Sequence, residues 1–233
     1  MLATIKNFSR VFFDPSFLTE YRLRQSLIAV LGPATARGGQ CLDVGCGDRP
    51  YEGLFAPGQY VGVDVRHSGR PLSMKQPDRF YDGKVLPYAT GSFDLVMSTQ
   101  VLEHVRDPLA LLTEMARVCK PDGEIVVSLP FVYQEHEEPF DFFRFTSFGI
   151  AELLGRVGLH TVESRKDTTA VETLAILISV YVMSNLVLPT KGAGRVYALC
   201  FCAPVQLLAM LLAKILPDRG QLYLNLVVRA RKG

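Results

Sequence analysis

Tryptophan is absent, no two of the five cysteines form a CxxC pair, and no run of basic residues occurs anywhere in the 233 residues. The missing tryptophan discriminates between nothing. The cysteines, Cys41, Cys46, Cys119, Cys200 and Cys202, are odd in number and irregular in spacing, which argues against a zinc site and against a disulfide framework. A reducing compartment fits, and no metal-ligating set is legible. Lys plus Arg total 25 against 23 acidic residues, a formal charge of +2, so no stripe tracks a phosphate backbone and nucleic acid is excluded as a partner. The opening segment MLATIKNFSRVFFDPSF lacks the unbroken apolar core of a signal peptide, which predicts a catalytic face in the cytoplasm.

What is present is enough apolar material, 48% of the chain, to bury one core, so a single domain over 1–233 is expected, with an N-terminal helical region over 1–35. DPSFLTEYRLRQSLIAVLG offers Asp14 as a cap and Pro15 as first helical residue, with Leu18, Tyr21, Ile28 and Leu31 on one face and Gly32 and Pro33 as a stop. Short apolar runs follow: QCLDVG, YVGVDV, RFYDG, FDLVMST and EIVVSLPF. Between the last two, RDPLALLTEMARVCKPDG has a cap at Asp107, Pro108 as first helical residue, and Leu109, Leu112, Ala116 and Cys119 along one face. Near-continuous apolar strands separated by helices imply a parallel sheet covered on both faces, with its ligand crevice at the carboxyl ends of the strands.

Gly45 and Gly47 follow the first strand in CLDVGCGDRP. Glycines there permit a tight turn and let a ligand approach the backbone with no Cβ in the way. The third glycine of a dinucleotide fingerprint is replaced by Pro50, so a nicotinamide or flavin site is incomplete. Asp64 closes the second strand at the distance where an acid accepts hydrogen bonds from ribose hydroxyls, and the combination indicates an adenosyl group. The competing reading is a plain strand-to-helix turn with a solvent-facing aspartate.

LDVGCG, GVDV, LPYATGSFDLVMSTQVLEHV and LLTEMARVCKPDGEIVVSLP resemble, in order, the successive motifs of class I S-adenosylmethionine-dependent methyltransferases, in the small-molecule type 11-like subgroup. The resemblance covers Cys41 to Pro130. It implies an α/β, Rossmann-like sheet of seven mostly parallel strands, the seventh antiparallel, in the order 3-2-1-4-5-7-6, with LHTVESR as the sixth strand and LYLNLVVRARK as the seventh. By the same resemblance S-adenosyl-L-methionine is the cofactor. Asp43, Gly45 and Gly47 would lie along its methionine part, Asp64 on the ribose, Asp82 and Gly83 beside the adenine, and Ser98 with Thr99 near the sulfonium. Asp48, Arg49 and Pro50 depart from the acidic or glycine residue that many relatives carry after the second glycine. Outside the resemblance, Asp82 reads equally as an exposed strand-end acid.

Methyl transfer needs a base only when the acceptor carries a proton on the attacking atom. His104 in QVLEHV and His136 in YQEHEEP are the catalytic candidates, since imidazole titrates near neutrality. His104 could instead close the turn by hydrogen bonds, and His136 could be plain surface. PFDFFRFT resembles a block after the fifth strand in methyltransferases linked to polysaccharide or lipid-linked sugar pathways. Tyr133, Asp141 and Arg144 are the substrate-binding candidates there; the last two either pair with each other or leave Arg144 to hold an acidic group. Thr146 or Ser147 should cap the following helix, whose buried face takes Leu153, Leu154, Val157 and Leu159.

A hydrophobic helical insertion over 168–220 separates the sixth and seventh strands. Thr173–Thr190 and Val196–Ala213 are each 18 residues without a charge, divided by KGAGR and a turn at Pro189, Gly192 and Gly194. That length is the lower edge of a bilayer span, but Asn185, Gln206 and Glu172 interrupt the apolar faces. Peripheral membrane attachment and burial in a homodimer are the two readings kept. The leading function is methyl transfer to a small, lipid-linked or saccharide acceptor; the alternatives are a soluble enzyme for a quinone-like metabolite and a non-catalytic adenosyl-binding scaffold.

Overall fold

The computed structural model describes residues 16–186 and 196–232. Asp14 and Pro15, and the turn with Pro189, Gly192 and Gly194, lie outside the described residues. The elements in chain order are α1 (Phe17–Thr35), β1 (Cys41–Val44), β2 (Tyr60–Val65), β3 (Arg79–Tyr81), β4 (Phe93–Thr99), α2 (Pro108–Val118), β5 (Cys119–Pro130), α3 (Ser147–Arg156), β6 (Leu159–Lys166), α4 (Ala170–Asn185), α5 (Ala203–Leu212) and β7 (Asn225–Lys232). The chain forms two compact units, 1–25 with 166–224 and 26–165 with 225–233.

The seven strands form one sheet in the order β3-β2-β1-β4-β5-β7-β6, as the sequence predicts. β1 lies parallel between β2 and β4, and β7 runs antiparallel to β5 with Val228 opposite Val127. Every residue of β1 is buried, as are the residues of β5 from Gly123 to Pro130. Such strands can be apolar throughout because both faces are covered. This arrangement carries the β1, β2 and β4 ends to one edge of the sheet.

Local capping follows the sequence closely. Asp107 accepts from the Ala110 backbone N–H at 3.0 Å with Pro108 beginning α2, and Thr146 accepts from that of Gly149 at 3.0 Å to begin α3. Packing faces are less well read. α1 continues through Gly32 and Pro33 to Thr35, and Ile28 is exposed while Leu27, Val30 and Leu31 are buried. A proline in a last turn removes one helical hydrogen bond and need not end the helix earlier. Cys119 begins β5 because α2 ends at Val118, and the buried face of α3 is Ile150 with Leu154, Leu159 belonging to β6.

In the unit containing 166–224, α4 opens with a capping box between Thr169 and Glu172, and Glu172 also pairs with Arg22. The polar interruptions thus have structural partners, since Gln206 accepts from the Leu18 backbone N–H at 3.2 Å. Among the described residues, no helix is long and apolar enough to cross a membrane.

Candidate active site

At the carboxyl edge of β1, β2 and β4 lies a crevice of about 940 Å³, solvent at its mouth included. Its floor is the glycine turn. Gly45 has φ +79°, and a Cβ there would sit 2.5 Å from Val101 Cγ2. Only glycine meets both conditions, the left-handed backbone and the close approach. Gly47, at φ +53°, donates its N–H to Asp64 Oδ2 at 3.0 Å, which ties the turn to the end of β2.

Asp64 lines the crevice already engaged: Oδ1 accepts from Lys75 Nζ at 3.1 Å and from the Val65 N–H at 2.7 Å. Lys75, itself buried, is a residue that sequence reasoning passed over. Gly83, Thr99 and His104 also line the space. Asp43, Asp82 and Ser98 do not. Asp43 is fully buried under the Tyr60 hydroxyl, which donates to it at 2.5 Å, and burial pushes its carboxyl up to about 7 against that pull. Asp82 is exposed and closes its own turn by accepting from the Lys84 and Val85 backbones, while Ser98 donates to the Val44 carbonyl at 2.9 Å.

Loops after β2 and β5 form the mouth. Arg70 pairs with Glu137 at 2.7 Å, and Gly69 approaches Glu137 so closely that a Cβ would meet its carbonyl oxygen at 2.4 Å. Gln100 and Glu137 line the crevice with φ of +54° each, a conformation rare outside glycine. Nothing in the local sequence around either residue marks that geometry.

The two histidines meet. Their rings contact edge to face with centroids 4.8 Å apart, and Tyr133 packs on His136 the same way at 5.5 Å. His104 Nδ1–H donates to the Phe140 carbonyl at 2.6 Å, and burial lowers its pKa from the ordinary histidine value. Arg144 is fully occupied, bonded to both Asp141 oxygens at 2.5 and 2.7 Å and to the carbonyls of Tyr133, Gln134 and Phe143. That pair holds Asp141 well below the usual carboxylate range and braces the wall. Glu103, beside His104, was missed. It is fully buried, neither carboxylate oxygen has a hydrogen-bond partner, and burial pushes its pKa up to about 8.

Residues 17–162 match the profile of the methyltransferase domain family. The chain belongs to that family. Its cofactor is accordingly S-adenosyl-L-methionine, and its sheet is that of the class I enzymes. An uncharacterized methyltransferase of Mycobacterium tuberculosis is 39% identical over 95 residues, and another of Mycobacterium leprae is 36% identical over 95. The first match covers 37% of each chain, so the protein spans little over a third of that relative's length. Among solved structures, the cyclase SpnF superposes with a TM-score of 0.55 at 19% identity, covering 89% of this chain and 80% of its own. Phosphoethanolamine N-methyltransferase 2 of Haemonchus contortus, solved with phosphomonomethylethanolamine and S-adenosylhomocysteine, gives 0.52 at 17% identity, covering 89% and 52%. A cyclase and a methyltransferase on one fold show that the fold by itself names no reaction.

Proposed function

We propose that the protein transfers a methyl group from S-adenosylmethionine to a small acceptor carrying a hydroxyl, seated between the loops after β4 and β5. The observation that carries this reading is the cradle at Gly45, which any Cβ would fill by meeting Val101. The cofactor supplies an electrophilic methyl on a sulfonium whose departure yields a neutral thioether. The methionine part would lie along Gly45 and Gly47. Asp64 keeps acceptor capacity for ribose hydroxyls while Gly47 and Lys75 fix its orientation. Gly83 would flank the adenine and Thr99 the sulfonium end.

His104 is suited to take the acceptor proton. With Nδ1–H committed to the Phe140 carbonyl, the neutral ring leaves Nε2 with its lone pair free for a proton. Holding the two reactants in line supplies most of the assistance, about 7 to 11 kcal/mol in favourable systems. Asp141 and Arg144 position the wall. Phe140 in the crevice lining supports an acceptor with an apolar part, such as a lipid-linked saccharide.

A second reading concerns α4 and α5. Leu174, Ile178 and Tyr181 recur at helical spacing and are 50%, 50% and 61% exposed; Leu208 and Leu211 of α5 are exposed as well. Such apolar faces favour attachment to a membrane surface or to another subunit. The experiment for the main reading is calorimetry with S-adenosylhomocysteine, followed by transfer of labelled methyl groups into fractionated cell extract. Binding in the micromolar range with label entering a lipid-extractable product supports it, label confined to polar sugars removes the lipid-linked acceptor, and no binding overturns the assignment. Membrane recovery that survives a salt wash distinguishes apolar attachment from charge-only attachment, which salt screens.

A further inference from the structure

We propose that Glu103, His104 and His136 form a binding site for one divalent transition-metal ion of the zinc class, with its open position toward the crevice. The inference deepens the methyl-transfer reading and rests on it only for the role of the ion.

One ligand atom from each of these three residues lies within 4.8 Å of the others, and Glu103 Oε1 stands 3.9 Å from His104 Nε2. Bonds of about 2.0–2.2 Å to a common ion need small movements from that spacing. Each histidine has its other nitrogen tied. His104 Nδ1 is held by the Phe140 carbonyl at 2.6 Å and His136 Nδ1 by Asp141 Oδ2 at 3.2 Å, which leaves Nε2 of each ring for a ligand. Carbonyl and carboxylate partners of this kind orient metal-ligating imidazoles and raise their basicity. Asp141 is fixed in turn by Arg144 and by the His136 backbone N–H at 2.9 Å.

Glu103 is the independent observation. A fully buried carboxylate with both oxygens lacking a hydrogen-bond partner is costly, and native proteins seldom leave one without a reason. An ion between it and the two imidazoles would satisfy it. Two histidines and one carboxylate are a donor set used by zinc with a fourth position left open. His104 belongs both to this triad and to the crevice lining, which directs the fourth position to the acceptor. An acceptor hydroxyl bound there would release its proton to solvent and keep a lone pair. That oxygen attacks the methyl carbon as the carbon–sulfur pair leaves on sulfur, so the reaction is balanced without a further base.

The test uses full-length, untagged protein under reducing conditions, stripped with chelator. Titration with zinc chloride should show one equivalent bound, and cobalt chloride should give visible bands of a nitrogen–oxygen site without thiolate charge transfer. Loss of an outer partner weakens metal sites about 10- to 100-fold. Asp141→Asn should fall in that range, and Glu103→Gln, His104→Ala and His136→Ala should each do at least as much. If Glu103→Gln fails to fold, the partly exposed His136 remains a usable position. No uptake by the wild type, or uptake unchanged in His104→Ala and His136→Ala, overturns the site, the second result placing the ion elsewhere. S-adenosylhomocysteine calorimetry on the same samples separates the readings: cofactor binding without ion binding defeats the metal site alone, and its absence defeats methyl transfer.

Discussion

Two fully buried glutamates sit at different places in the same sheet, and their surroundings are opposite. Glu124, in β5, pairs with Arg37 at 2.6 Å, Arg229 at 2.8 Å and Arg231 at 2.6 Å. Burial pushes its pKa up, but the three guanidiniums hold it below the ordinary glutamate value. Glu103, at the crevice edge, has no hydrogen-bond partner and a pKa pushed up to about 8. The first is a carboxylate neutralised by the fold and used to fasten β7 to β5. The second is left unmatched where the molecule meets its ligands, as expected of a group kept for chemistry rather than stability.

The comparison breaks most visibly on stability. Glu124→Ala leaves guanidinium groups unmatched at the β5–β7 pair, and breaking a buried pair in this way costs about 3–5 kcal/mol. Glu103→Gln, which removes a charge that no hydrogen bond supports, should change stability by less than about 1 kcal/mol. Urea denaturation of both variants decides, and equal losses would erase the distinction.

Gly45→Ala comes next. The added methyl meets Val101 at 2.5 Å on a backbone that L residues rarely adopt, costing about 1–3 kcal/mol of strain. Calorimetry should show cofactor affinity lost well before the thermal transition collapses. A variant that binds normally would remove the cradle from the argument.

Asp64→Asn should weaken S-adenosylhomocysteine binding about 10- to 100-fold, the worth of a hydrogen bond to a charged group. Asp82→Asn, at an exposed turn outside the crevice, should change it by less than about 3-fold, a difference of well under 1 kcal/mol. Comparable losses would mean that Asp82 reaches the adenine after all.

The smallest effect at neutral pH is the acid limb. Glu124 has a folded pKa below its unfolded value of 4.5, so its stabilisation is present above pH 4.5 and is lost as pH falls through the lowered folded value. Glu124→Gln should flatten the fall in stability below pH 4.5 relative to the wild type. An unchanged slope there would mean that other carboxylates dominate acid unfolding.

Features that depend on neighbours along the chain were legible in advance. The caps at Asp107 and Thr146, the glycine turn at Gly45 and Gly47 and the strand order followed from residue type, spacing and family motif order. A cap is satisfied within three residues and a left-handed turn within one, so the sequence contains the whole interaction. The choice between Ile28 and Leu27 for the buried face of α1 was not contained in this way, because both fit a helical period and only packing distinguishes them. Lys75 on Asp64, the outward turn of Asp82 and the meeting of His104 with His136 each depend on contacts between separate loops. Glu103 is the clearest case: its letter stands in plain view beside His104, but a carboxylate becomes unusual only when the fold removes its water and offers no donor in return. Sequence alone determined the sheet, its cofactor edge and the local turns. Tertiary structure decided which polar groups are satisfied, since burial and long-range partners exist only once the chain has closed.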